Sequence, residues 1–145
     1  MNLKFPMFVD LTGKKVLVAG AGRIGLGRVQ VLQQFGAEVT LVAPDCSQVP
    51  AGVRYLKKIY EPQDLNGAFL AVAATDSREV NRQIGNDARS AGIPVSVADA
   101  REECTFFFPA GCLGGNLVAG VVSDGTDHCK TARAARAIRK CLEEV

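Results

Sequence analysis

The chain has 145 residues, 48% hydrophobic and 22% charged, with a formal net charge of +2. That length holds one full domain and a modest appendage, and the apolar fraction is enough to offset the backbone entropy of folding, which argues against disorder. The near-neutral balance speaks against nucleic acid or an anionic membrane as partner; no apolar run approaches the roughly 20 residues that span a bilayer, and the start Met1-Asn2-Leu3-Lys4-Phe5-Pro6 lacks the apolar stretch of a signal peptide, so a cytoplasmic protein is expected.

Residues 15–20, KVLVAG, form a short apolar run rich in β-branched residues that stops at glycine, the pattern of a parallel strand buried on both faces. Over 23–35 the apolar residues Ile24, Leu26, Val31, Leu32 and Phe35 recur at broadly helical spacing, with Gly36 as the stop. A second buried strand is predicted over 39–43, ended by Pro44, which has no N–H for a ladder. After a loop over 46–52, a weaker strand is predicted over 53–59. Residues 68–74 read as a strand, 78–91 as a helix, and 93–98 as a strand that tolerates Pro94 at its start. This alternation predicts an α/β, Rossmann-like parallel sheet with helices on both faces. Beyond Asp99 the alternation ends. Residues 105–108 and 116–123 read as strands joined by a turn at Gly111, Gly114 and Gly115, and 132–142 as a last helix. The boundary is placed near Ala110, giving a dinucleotide-binding domain over 1–110 and a hairpin-plus-helix element over 111–145.

Gly20-Ala21-Gly22-Arg23-Ile24-Gly25 matches G-x-G-x-x-G between a predicted strand and helix. In that setting the first glycine permits the tight turn, the second lets a pyrophosphate approach the backbone, and the third allows close helix–strand packing. The helix start adds unpaired N–H groups and the positive end of its dipole. The fingerprint also wants an acid about 20 residues on, to accept from the adenosine ribose hydroxyls. Asp45, behind Pro44, is read as that acid or else as the start of a turn. No Arg or Lys stands between Pro44 and Gly52 to meet a 2′-phosphate, so NAD is favoured over NADP.

With these elements in place, the whole chain resembles the dehydrogenase–ferrochelatase part of siroheme synthases, also found as stand-alone precorrin-2 dehydrogenases. Four stretches carry the resemblance. Phe5-Pro6-Met7-Phe8-Val9-Asp10-Leu11 leads into Gly13-Lys14-Lys15-Val16-Leu17-Val18 and the glycine loop. Ala73-Ala74-Thr75-Asp76, followed by Asn81, is similar to the family's exit from its fourth strand. Val95-Ser96-Val97-Ala98-Asp99 precedes CTFFFP over 104–109, and Ser123-Asp124-Gly125 falls where the family has a Ser/Gly-rich loop before a basic helix.

The resemblance implies NAD-dependent oxidation of precorrin-2 to sirohydrochlorin, with iron insertion into that product in some members. It counts Thr75 and Asp76 with the cofactor-binding residues Gly20, Gly22, Arg23, Ile24, Gly25, Pro44 and Asp45. It assigns Asp99, just past a predicted parallel strand where open α/β sheets bind ligands, as general base. The residues after Pro109 are implied to build a homodimerisation element. Ser123, His128, Arg133 and Arg136 are the candidates for holding a tetrapyrrole, since Arg133, Arg136, Arg139, Lys130 and Lys140 give the last helix a basic side suited to carboxylates. Two departures stand out. His128-Cys129 replaces the family's Ser-Pro, and the C-terminal region is expected to be shortened, because relatives continue into a further helical segment.

Five cysteines at irregular spacing, with no C-x-x-C, read as reduced thiols, and no metal site is expected, since His128 and Cys129 alone are too few ligands. Phe106, Phe107 and Phe108, on a predicted strand, would point to alternate faces and pack rather than stack. The competing readings are a nucleotide-sensing module that binds NAD without reacting it, and a relative that handles only tetrapyrrole or metal.

Overall fold

Val16, Leu17, Val18 and Ala19 are fully buried because β1 (Lys15–Ala19) is the middle strand of a five-stranded sheet. It pairs in parallel with β2 (Glu38–Ala43) on one side and β4 (Leu70–Ala73) on the other; β3 (Arg54–Lys57) and β5 (Val95–Val97) complete the order β3-β2-β1-β4-β5, all parallel. The structure is a computed structural model describing residues 2–145. It has two compact units, residues 9–106 and a second made of residues 107–145 with the N-terminal segment up to Phe8. The division falls between Phe106 and Phe107, ahead of Ala110.

The sheet unit is held by alternation. Leu17 and Ala19 share one core cluster with Ile84 and Ala88 of α2 (Arg78–Ser90), so their neighbours Val16 and Val18 face the opposite side of the sheet. Helix α1 (Arg23–Gln34) buries Gly25, Val29 and Leu32, a helical stripe spaced four and then three residues apart. Strand order reverses at β1, because β2 and β3 extend one way and β4 and β5 the other. The carboxyl ends of β1 and β4 therefore form a switch point, where the loops after the two strands splay apart and leave a crevice.

The hairpin unit pairs β6 (Ala110–Gly114) with β7 (Leu117–Val121), antiparallel, and adds α3 (His128–Glu143). Gly114 stands opposite Leu117, so the turn is two residues, Gly115 and Asn116, at φ 56° and 64°. Two successive left-handed residues match the twist of a tight hairpin, and glycine and asparagine tolerate that conformation best. Cys112 is fully buried, with its Sγ 3.5 Å from the Ala135 carbonyl of α3. A Cβ on Gly114 would stand 3.0 Å from Leu142 Cβ, so the missing side chain lets hairpin and helix pack closely.

Three elements differ from the sequence reading. No strand forms over 105–108. Residues 104–106 instead run along β5: the Thr105 and Phe106 N–H groups both donate to the Val95 carbonyl, while Thr105 Oγ1 accepts from Val95 N–H at 2.8 Å and Cys104 Sγ from Val97 N–H at 3.1 Å. Side-chain atoms take the positions a ladder would use, and Phe106, Phe107 and Phe108 lie outside any strand. The strand forms at Ala110–Gly114, where a glycine turn was predicted. Finally, α3 begins at His128 rather than 132, because Asp127 caps it by accepting from Lys130 N–H at 3.0 Å.

Candidate cofactor cleft and the neighbouring carboxylate

The three glycines of the motif after β1 do two different things. Gly20 has φ +106°, and a Cβ there would come 2.1 Å from the Ala74 carbonyl oxygen at the end of β4. Gly25, in the first turn of α1, would place a Cβ 1.9 Å from the Gly20 carbonyl oxygen. Both positions are closed by backbone, so they exclude any side chain for reasons internal to the fold. At Gly22 a Cβ would meet nothing within 4 Å. That glycine leaves room for something that is not protein.

The room opens into a cleft of about 880 Å³ lined by Gly20, Ala21, Gly22, Arg23, Ile24, Ala43, Pro44, Asp45, Ala74, Thr75 and Asp76. Eight of the nine residues predicted to bind cofactor are in this lining. The ninth, Gly25, is buried and shapes the loop from behind. Ala21, Ala43 and Ala74 were not singled out in the sequence. They line the cleft without any polar side-chain group, so no chemistry-bearing residue marked them.

The α1 end of the cleft is built to take negative charge. Helix α1 starts at Arg23 with Gly22 as a cap that has no side chain, and its first turn carries no acid. By contrast, Ser77 caps α2 by accepting from Val80 N–H, and Asp127 caps α3. The start of α1 therefore presents its N–H groups and the positive end of its dipole to the cleft without a side-chain acceptor. Arg23 adds an exposed guanidinium with no hydrogen bond or ion pair among the described residues.

On the β2 side, Asp45 is exposed and likewise makes no hydrogen bond or ion pair among the described residues, so it closes no local turn with its carboxylate. Tyr55 stands beside it. Its hydroxyl donates to the Ala43 carbonyl at 2.9 Å, and burial, reinforced by Cys46 and Asp45, pushes its ionisation above the ordinary tyrosine range.

On the β4 side, Thr75 is held by a residue the cleft never touches. Asn81, fully buried in α2, accepts from Thr75 N–H at 3.0 Å and from Thr75 Oγ1 at 2.7 Å, and its amide donates to the Thr75 carbonyl at 3.1 Å. The A-A-T-D…N pattern was visible in the sequence; that its asparagine braces its threonine was not.

Asp99 lies just past β5, at the carboxyl edge of the same sheet but outside the lining of the cleft. Arg78, the first residue of α2, donates from Nη1 to Asp99 Oδ1 at 2.7 Å and from Nη2 to Glu103 Oε1 at 2.6 Å. The proposed substrate residues belong to the hairpin unit. Ser123 Oγ accepts from Gly125 N–H at 3.0 Å, His128 opens α3 and is exposed, and Arg133 and Arg136 are exposed along α3. Arg139 is engaged, donating to the Gly111 carbonyl at 2.9 Å.

A glycine loop with open space at its second glycine, an uncapped helix start and a switch-point cleft define a dinucleotide-binding Rossmann domain. A family described as "Putative NAD(P)-binding" matches residues 7–110. The chain is 43% identical over 144 residues to the "Probable multifunctional siroheme biosynthesis protein HemA" of Ruminiclostridium josui, covering 94% of this chain and 28% of that protein. It is 39% identical over 127 residues to the "Siroheme synthase" of Methylobacillus flagellatus, covering 83% of this chain and 27% of that one. Among solved structures, "SirC, precorrin-2 dehydrogenase" superposes with a TM-score of 0.76 at 26% identity, over 97% of this chain and 72% of that one.

The chain belongs to the NAD(P)-binding family found in the N-terminal part of siroheme synthases. It spans less than a third of the length of these curated relatives. The family's cofactor is a nicotinamide adenine dinucleotide, and the residues at the cleft fit it: an open glycine and a free helix start for the diphosphate, and an unengaged acid beyond β2 for a ribose.

Proposed function

We propose that this chain oxidises precorrin-2 to sirohydrochlorin with NAD. The observation that carries the reading is the pairing, on one sheet edge, of an anion-accepting cleft at the switch point with a carboxylate, Asp99, just past the neighbouring strand. The similarity to a precorrin-2 dehydrogenase over 97% of the chain supports it.

In this reading Gly20, Gly22 and the N–H groups at Arg23, Ile24 and Gly25 hold the diphosphate. Asp45, beside Pro44, accepts from the ribose hydroxyls, and a carboxylate there disfavours a 2′-phosphate, which selects NAD over NADP. Thr75 and Asp76, on the β4 wall of the cleft, would complete the cofactor's seat. Bound NAD supplies the hydride acceptor. The oxidation removes two electrons and two hydrogens from the macrocycle, one as hydride and one as a proton; Asp99 takes the proton and passes it to water. Arg133 and Arg136, with Ser123 and His128, meet the substrate's carboxylates through charge-assisted hydrogen bonds. The protein works in the cytoplasm as a homodimer.

The test is anaerobic mixing of the full chain with precorrin-2 and NAD while NADH is followed by its fluorescence. One NADH per substrate oxidised is expected. Measurable NAD binding with no NADH would overturn the dehydrogenase reading in favour of a module that senses the nucleotide.

A further inference from the structure

We propose that Arg78 is the positioning residue for Asp99: it anchors one carboxylate oxygen and leaves the other to receive the substrate proton. The inference rests on the reading of Asp99 as the base.

Asp99 follows β5 in a turn, and its side chain is 40% exposed, so packing alone selects no orientation for it. A carboxylate free to rotate is a poor acceptor, since proton transfer needs the accepting oxygen within hydrogen-bond reach and aligned. Arg78 supplies the missing constraint through its bond to Oδ1 at 2.7 Å, while Oδ2 carries no hydrogen bond among the described residues. The two oxygens thereby have different jobs.

Arg78 is itself held. Its backbone opens α2 directly after the Ser77 cap, and its second nitrogen is bound by Glu103 at 2.6 Å. Glu103 is fixed in turn, because its carbonyl accepts from Arg89 of the same helix. One guanidinium between two carboxylates leaves the trio formally one charge negative, so Arg78 orients Asp99 without neutralising it. Serving two diverging carboxylates at once needs the planar fork of arginine; an ammonium is a single point. Asp76, in the lining of the cleft, is two residues before Arg78, so the first turn of α2 ties the wall of the cleft to the base.

The experiment measures single-turnover rates and the KM for NAD and precorrin-2 with the full chain, for Arg78→Ala, Arg78→Lys, Asp99→Asn and the double variant Arg78→Ala/Asp99→Asn, with thermal melts alongside. Arg78→Ala is expected to slow turnover on the order of 10- to 100-fold, the scale of a misplaced reacting group, with KM for both ligands unchanged. Arg78→Lys should recover part of that loss. In the Asp99→Asn background, Arg78→Ala should cost nothing further, because a residue that acts through another has no effect once the other is gone.

The same loss in both backgrounds, or a raised KM for precorrin-2, would overturn the inference by showing that Arg78 acts on the substrate directly. Wild-type turnover in Arg78→Ala would overturn it outright. Should Arg78→Ala fail to fold, Arg78→Lys made in both backgrounds gives the same comparison. Wild-type turnover in Asp99→Asn is a separate pattern, which removes the base reading and this inference together.

Discussion

Gly22 and Gly25 are three residues apart in one motif, yet the structure makes opposite demands of them. A side chain at Gly22 enters the space reserved for the diphosphate, where no protein atom stands within 4 Å of the Cβ. Gly22→Val is therefore expected to abolish NAD binding by calorimetry while leaving the melting temperature nearly unchanged. A side chain at Gly25 drives into the Gly20 carbonyl, so Gly25→Val should destabilise by about 1–3 kcal/mol, the cost of overpacking a rigid site. Its loss of NAD affinity should track its loss of fold in a thermal melt. An unfolded Gly22→Val, or a Gly25→Val of normal stability, would show that the roles have been exchanged. The motif was legible from spacing alone because backbone sterics write themselves into sequence as glycine. The Arg78–Asp99–Glu103 trio was not, since its members are up to 25 residues apart and salt bridges impose no spacing.

At the scale of elements, the sheet's βα alternation was readable because strands buried on both faces must be continuously apolar and amphipathic helices must repeat near 3.6. The segment after Asp99 obeys neither rule. Its Thr and Phe residues carry high strand propensity, but the segment serves as a cover for the edge of β5, and Thr105 and Cys104 satisfy that strand with side chains. Removing the Thr105 hydroxyl leaves the N–H of buried Val95 without its acceptor. Thr105→Ala should therefore lower stability by about 1–3 kcal/mol in a denaturant titration, the penalty for a buried unpaired donor. A change within error would mean that water replaces the hydroxyl at no cost. The hairpin was half legible. Glycines marked a turn, but only Gly115 and Asn116 make it, while Gly114 is glycine because Leu142 lies against it.

For the whole molecule, apolar exposure is uneven. Phe5, Met7, Phe8, Leu113, Leu117 and Val118 are all exposed, and all belong to the hairpin unit. Such side chains are left uncovered when an element's partner lies on another copy, and closed twofold association is the commonest solution. Sedimentation at micromolar concentration is expected to give a dimer, and Leu117→Asp with Val118→Asp should shift it to monomer with the sheet unit still folded. A wild-type monomer would refute the assembly. Sequence marked where the alternation stops, but it assigned the N-terminal segment up to Phe8, which groups with the hairpin, to the dinucleotide-binding domain; which face of the hairpin is uncovered required the packing of α3 on it.

The place of β1 between β2 and β4 has a consequence in time as well as in space. Val16 pairs with Val39 across one helix, but also with Leu70, more than twice as far along the chain. The second pairing closes the longer loop and so costs more chain entropy before it is rewarded. One wall of the cleft, the glycine loop and the end of β2, can assemble locally; the other, Ala74 to Asp76, exists only once β4 has docked on β1. The dinucleotide can thus recognise only a chain in which β4 has docked on β1. Its binding energy falls on the last state of folding, where it slows unfolding and leaves the rate of refolding almost untouched.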